Sequence, residues 1–164
     1  MRIIGIDPGT VTCGYGIVEI EKKPGASPIY ITAGDIKMNK KAGLPERLNT
    51  LYSSLKSTIR EYNPSSLCIE KIFYHKSIRS AMALGYARGI IMLLAAQNHL
   101  PLFEYNPTEL KMALTGYGRA EKRQVQEMVK RILKICPSQG RLSQDSTDAL
   151  ALCICHINSS FQLK

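Results

Sequence analysis

Acidic residues are scarce in this chain of 164 residues: 13 Asp and Glu stand against 22 Lys and Arg, for a net charge of +9 and an isoelectric point near 9.4. From Lys71 to Phe103 there is no acid at all, although Lys71, Lys76, Arg79 and Arg88 are present; between Pro107 and Arg141 eight basic residues meet only Glu109, Glu121 and Glu127. Such an imbalance points to a polyanion partner, nucleic acid or an anionic membrane. No basic amphipathic terminal helix favours the membrane. A long hydrophobic run is also missing: the longest, "GIIMLLAA" at 89–96, is too short to span a bilayer, and Asp7 interrupts the first apolar run too early for a signal peptide. A cytoplasmic protein is the expectation. The five cysteines (13, 68, 136, 153 and 155) are odd in number and form no CxxC pair, which reads as reduced thiols and speaks against zinc. Low-complexity tracts, internal repeats and linkers are absent, so residues 1–164 are expected to form a single domain with a substantial core.

What is present begins with β-rich runs. "RIIGID" (2–7), "CGYGIVEI" (13–20) and "PIYITAGDI" (28–36) are separated by connections short enough for an antiparallel meander. Leu44, Leu48, Leu51, Leu55 and Ile59 then mark one face of a helix that Asn63-Pro64 ends. "SLCIE" (66–70) reads as a buried strand, 76–99 as a helix and "LFEY" (102–105) as another strand. Asn106-Pro107 supplies an N-cap and a first-turn proline for "TELKMAL". "GYG" at 116–118 interrupts, 120–135 makes a basic helix, and a last helix runs from about 144 to 159. The order predicts an α/β fold: a mixed five-stranded sheet with helices on both faces. In it the fourth strand docks parallel to the first.

That docking brings two acids together. Asp7 and Glu70 each end a strand, and neighbouring strands lie about 4.8 Å apart. An Asp that starts a turn is unremarkable in isolation, but two adjacent carboxylates repel unless a cation lies between them. Asp145 and Asp148 share a face at the start of the final helix, where either Asp145 or Ser143 also suits a cap. Oxygen-only ligation fits Mg²⁺ or Mn²⁺, and four acids can hold the two ions used for phosphodiester hydrolysis. Phe73-Tyr74 lies beyond Glu70 among Lys71, Lys76 and Arg79, a pattern suited to base stacking as well as to burial in a core. Lys111 and Lys122 read, unaided, as solvated helix lysines. His75, His99 and His156 have no metal-ligand spacing. The helix at 76–99 is apolar over more than one face, which predicts burial against both the sheet and a second subunit.

Five stretches together resemble the RuvC family, Holliday-junction resolvases of the ribonuclease H-like superfamily: "GIDPGT…GYGIV" at 5–18, "IEKIFYHKS" at 69–77, "ALGYARG" at 83–89, "LPLFEYNPTELKMALTGYGRAEKRQVQ" at 100–126 and "DSTDALALCICH" at 145–156. The resemblance implies a ribonuclease H-like fold and a Mg²⁺-dependent endonuclease that nicks two symmetric strands of a four-way DNA junction. It puts Asp7, Glu70, Asp145 and Asp148 in the places of the catalytic, metal-binding acids. Lys111 and Lys122 fall in the places of two lysines near the scissile phosphate, and Phe73 in that of an aromatic residue that contacts unpaired bases. It further implies a homodimer and a branch-migration motor, RuvA and RuvB, as partner. Lys71 departs from the family pattern, where glutamine is frequent, and Tyr74-His75 adds ring surface. "GIDPGT" is also similar to the phosphate loop of actin-like ATPases and sugar kinases, which need a second such domain that 164 residues cannot hold. A junction-binding module without activity and a nuclease acting on RNA are the other readings.

Overall fold

The computed structural model describes residues 1–23, 25–71, 78–136 and 142–162, the side chains of 161 and 162 excepted. Five strands, β1 (Arg2–Asp7), β2 (Thr12–Glu19), β3 (Ile29–Lys37), β4 (Ser66–Glu70) and β5 (Leu102–Tyr105), form one sheet in the order β3-β2-β1-β4-β5. The first three pair antiparallel, whereas β4 pairs parallel to β1 and β5 parallel to β4. The meander and the crossover strands are as the sequence predicts.

Two helix layers cover the sheet. On one face α1 (Leu44–Tyr62) and α2 (Ile78–Gln97) enclose Ile4, Ile6, Ile17, Leu67 and Ile69. On the other, α3 (Pro107–Thr115), α4 (Lys122–Ile132) and α5 (Gln144–Gln162) enclose Ile3, Val18 and Cys68. Neighbouring residues of one strand thus feed opposite cores, the alternation that a doubly covered sheet requires. Asn63 closes α1 in the left-handed conformation (φ 45°) that asparagine tolerates, immediately before Pro64. Asn106 caps α3 reciprocally. Its side chain accepts from Glu109 N at 2.8 Å, while the Glu109 carboxylate accepts from Asn106 N at 2.7 Å.

The eight-residue apolar run understates α2. By length and composition alone this 20-residue helix passes for a membrane span. Its packing shows what it does: Ala87, Ile91 and Leu94 are buried against the sheet, and Arg88 is buried with an ion pair. The opposite side is exposed, with Ile78 at 81%, Met82 at 53% and Leu93 at 49%.

Candidate active site

Ile6 of β1 lies level with Ile69 of β4, so the next residues, Asp7 and Glu70, end their strands at the same edge of the sheet. Since Ile6 and Ile69 face α1 and α2, alternation turns both carboxylates to the other face, beneath α5. The loop after Asp7 is held from outside, because Arg47 of α1 donates to the Thr10 carbonyl at 3.1 Å.

Glycines let α5 lie against the strand backbone. Gly5 pairs across β1 and β2 with Gly16, and Asp7 with Gly14. A Cβ at Gly5 would fall 2.0 Å from the Ala149 carbonyl oxygen, one at Gly14 2.2 Å from that of Asp145, and one at Gly16 2.7 Å from the Leu150 side chain. At Gly5 and Gly14 the obstacle is backbone and no side chain fits; at Gly16 the Leu150 side chain would have to shift. Asp145 and Asp148 are thereby carried down to the tip of β1. Asp145 is not used as a cap: Ser143 Oγ accepts from Ser146 N at 3.0 Å and fills that role.

Electrostatics record the convergence. Burial pushes the Asp7 carboxyl up, and the charges of Asp148, Glu70 and Asp145 raise it further, to about 7, against the opposing pull of Lys122. Burial also raises the Asp148 carboxyl; Lys122 opposes this and Asp145 adds to it. Lys122 Nζ stands 2.7 Å from Asp148 Oδ2. A cleft runs through the site in two lobes that share Asp7, Glu70 and Pro107. One lobe, about 480 Å³, is bordered by Thr10, Lys71, Ser80 and Arg88; the other, about 210 Å³, by Lys111, Lys122, Val125 and Asp148. Asp145 is felt electrostatically by Asp7 and Asp148 but lines neither lobe. The two lysines that read as ordinary surface residues therefore stand at the acids. Phe73 lies outside the described residues.

Arg88 was not singled out from the sequence as part of the site. Buried on α2, it donates to the backbone carbonyl of Glu70 and to the Glu104 carboxylate on β5. It ties together the ends of two parallel strands at the tip from which Glu70 projects. A lone arginine in an otherwise apolar stretch was the available signal, because a charge in such a position needs a partner.

An all-oxygen set of acids, one of them with its pKa raised first by burial and then by its neighbours, has the chemistry of a hard divalent cation site. Among the described residues no three acid, histidine or cysteine side chains are gathered tightly enough to chelate one ion. Asp7, Glu70 and Asp148 line the cleft, Asp145 lies outside both lobes, and Asp148 is paired with Lys122.

Residues 3–156 match the family described as crossover junction endodeoxyribonuclease RuvC. A protein of that description from Cupriavidus metallidurans is 46% identical over 158 residues, covering 96% of this chain and 84% of its own length. The structure of Thermus thermophilus RuvC in complex with a Holliday junction substrate superposes with a TM-score of 0.89 at 26% identity, over 99% of this chain and 96% of that one. The yeast mitochondrial Holliday junction resolvase Ydc2, 16% identical with a TM-score of 0.68 over 98% of this chain and 79% of its own, shares the fold. Sequence match over nearly the whole length and structural similarity over 99% of the chain lead to one conclusion: the chain belongs to the RuvC family of crossover junction endodeoxyribonucleases.

Proposed function

We propose that this chain resolves Holliday junctions by cation-dependent phosphodiester hydrolysis, with Asp7, Glu70, Asp145 and Asp148 as the ligands of Mg²⁺, two ions per site, Mn²⁺ serving in its place. The observation that carries the reading is the meeting of acids from β1, β4 and α5 in a cleft bordered by Lys111 and Lys122. Bound divalent ions supply an activated water and stabilisation of the leaving oxygen. The protein's own groups do the rest. Lys111 and Lys122 draw a phosphate to a centre whose carboxylates would repel it, and Lys122 pairs with Asp148. Arg88 fixes the backbone that carries Glu70. Phe73, beyond Glu70, stacks on an unpaired base at the crossover.

Residues 1–164 act in this reading as one nuclease domain, in the cytoplasm, alongside a branch-migration motor (RuvA, RuvB), and as a homodimer. An exposed apolar seam on α2 supports the dimer: Ile78, Met82, Gly85, Gly89, Met92 and Ala96 recur at spacings of four and three, all exposed. That is the repeat by which two helices interlock. A twofold dimer also suits a substrate whose two symmetric strands are both cut.

The test is cleavage beside gel shift on a synthetic four-way junction, for Asp7→Asn and Asp148→Asn. Both variants are expected to lose cleavage and to retain junction binding without metal. Folded variants that cut at the parental rate would overturn the four-acid assignment. A parental protein that binds the junction without ever cutting it would leave a non-catalytic module, and cleavage confined to RNA would leave a different nuclease.

A further inference from the structure

Asp35 on β3 belongs to none of the four proposed ligands, yet it is an acid tied directly to α5. Its Oδ1 accepts a 2.6 Å hydrogen bond from Ser143 Oγ, across 108 positions of sequence. The same Ser143 oxygen accepts from Ser146 N at 3.0 Å and stands 2.9 Å from Ser146 Oγ. Thr147 Oγ1 returns to the Ser143 carbonyl at 2.6 Å. A serine hydroxyl has one proton and two lone pairs. Giving the proton to Asp35 leaves the lone pairs for the cap, so one hydroxyl joins β3 to the first turn of α5.

Strand register shows what that joint controls. Asp35 pairs with Gly14, and Gly14 pairs with Asp7. The three residues form a straight row across β3, β2 and β1, on the face beneath α5. At one end the Asp35 carboxylate holds the helix start. In the middle the Asp145 carbonyl rests on Gly14, where a Cβ would be only 2.2 Å away. At the other end lies Asp7. Asp145 stands in the first turn of α5 and Asp148 one turn on, so a shift of the helix start moves both relative to Asp7.

We propose that Asp35 and Ser143 are positioning residues whose hydrogen bond sets the seat of the first turn of α5 on Gly14, and with it the placement of Asp145 and Asp148 opposite Asp7. The inference rests on the reading of those acids as cation ligands. Like charges gathered on α5 and β1 repel one another, and the Ser143–Asp35 bond holds the helix start on the sheet against that repulsion. Neither Asp35 nor Ser143 lines the cleft, so substitution there removes no ligand.

The experiment measures Mn²⁺ affinity of the DNA-free protein by calorimetry, together with single-turnover junction cleavage and metal-free junction binding. Asp35→Ala is expected to weaken Mn²⁺ binding and slow cleavage by about ten- to a hundredfold, the range for residues that orient metal ligands, with junction binding unchanged. Asp35→Asn keeps an acceptor for the Ser143 hydroxyl and is expected to restore most of both. Parental Mn²⁺ affinity and rate in folded Asp35→Ala would overturn the proposal, as would an Asn variant no better than the Ala variant. Should Asp35→Ala fail to fold, Ser143→Ala against Ser143→Thr decides by the same criteria, threonine retaining the hydroxyl. Asp148→Asn, measured alongside, keeps the two ideas apart. If it still binds Mn²⁺ and cuts as the parent does, the four-acid reading has failed and the positioning role falls with it.

Discussion

Asp7 concentrates the physics of the site in one side chain. Its carboxyl is held at about 7 in the fold against 3.8 as a free side chain, first by burial and then by Asp148, Glu70 and Asp145. A carboxyl with a raised folded pKa binds its proton more tightly in the fold than in the unfolded chain. Its contribution to stability is therefore fully present below about pH 4 and lost as pH rises through 7. Without metal, Asp7→Asn should raise the melting temperature at pH 8 by several degrees, on the order of 2 kcal/mol after screening, and give no gain at pH 4. Thermal melts in chelator at the two pH values check this, and a variant equally or less stable at pH 8 would mean that the acids do not strain one another. Phe73 sits at the same scale. Phe73→Ala should slow junction cleavage and leave the melting temperature unchanged, whereas a drop of several degrees would return the ring to a core.

At the scale of elements, the packing of α5 on β1 and β2 places half of the proposed ligands. The three glycines beneath it differ from those of α2. A Cβ at Gly5 meets backbone, the Ala149 carbonyl, which has no rotamer to change. Gly5→Ala must therefore lift α5 and is expected to cost about 1–3 kcal/mol or more, with cleavage falling further than stability alone explains. Denaturant melts beside cleavage at a temperature where the variant remains folded check this. Unchanged stability would show that the helix has room to move. Arg88 does for β4 what the glycines do for α5. Arg88→Met orphans the Glu104 carboxylate, whereas a double variant with Glu104→Gln removes both charges, so it should be the more stable of the two. Both should cleave slowly, because the Glu70 carbonyl has lost its donor in each.

For the whole molecule, the exposed seam of α2 carries the proposed dimer and the basic surface the proposed DNA contacts. Among the described residues, nothing beyond the helix's own backbone lies within 4 Å of a Cβ built at Gly89. In a monomer Gly89→Ala would stabilise the helix by about 0.5–1 kcal/mol, because glycine is the poorer helix former. Where two α2 helices approach through the seam, the same change should weaken association, and Met82→Glu should abolish it. Light scattering reads the species: an 18 kDa particle for the parent at micromolar concentration, with and without junction, would remove the dimer. Metal-free junction binding should fall steeply with salt. Lys111→Ala and Lys122→Ala should each reduce that slope by about one.

Much of this was legible in the chain itself. The strand order followed from three short-linked β runs and two crossovers, and the meeting of Asp7 with Glu70 followed from acids at strand ends, because strand period and spacing are fixed by covalent geometry. The caps at Asn63 and Asn106 were legible for a similar reason: they are made within a few residues. What the fold alone decided are contacts between residues far apart in sequence whose local patterns look ordinary. Ser143 meets Asp35, Lys122 meets Asp148, and Arg88 meets the Glu70 carbonyl only because three helices settle at particular heights over the sheet. For α5 that height is set by Gly5, Gly14 and Gly16, whose function is to have no side chain, and an absent side chain shows its purpose only when another element is packed against it.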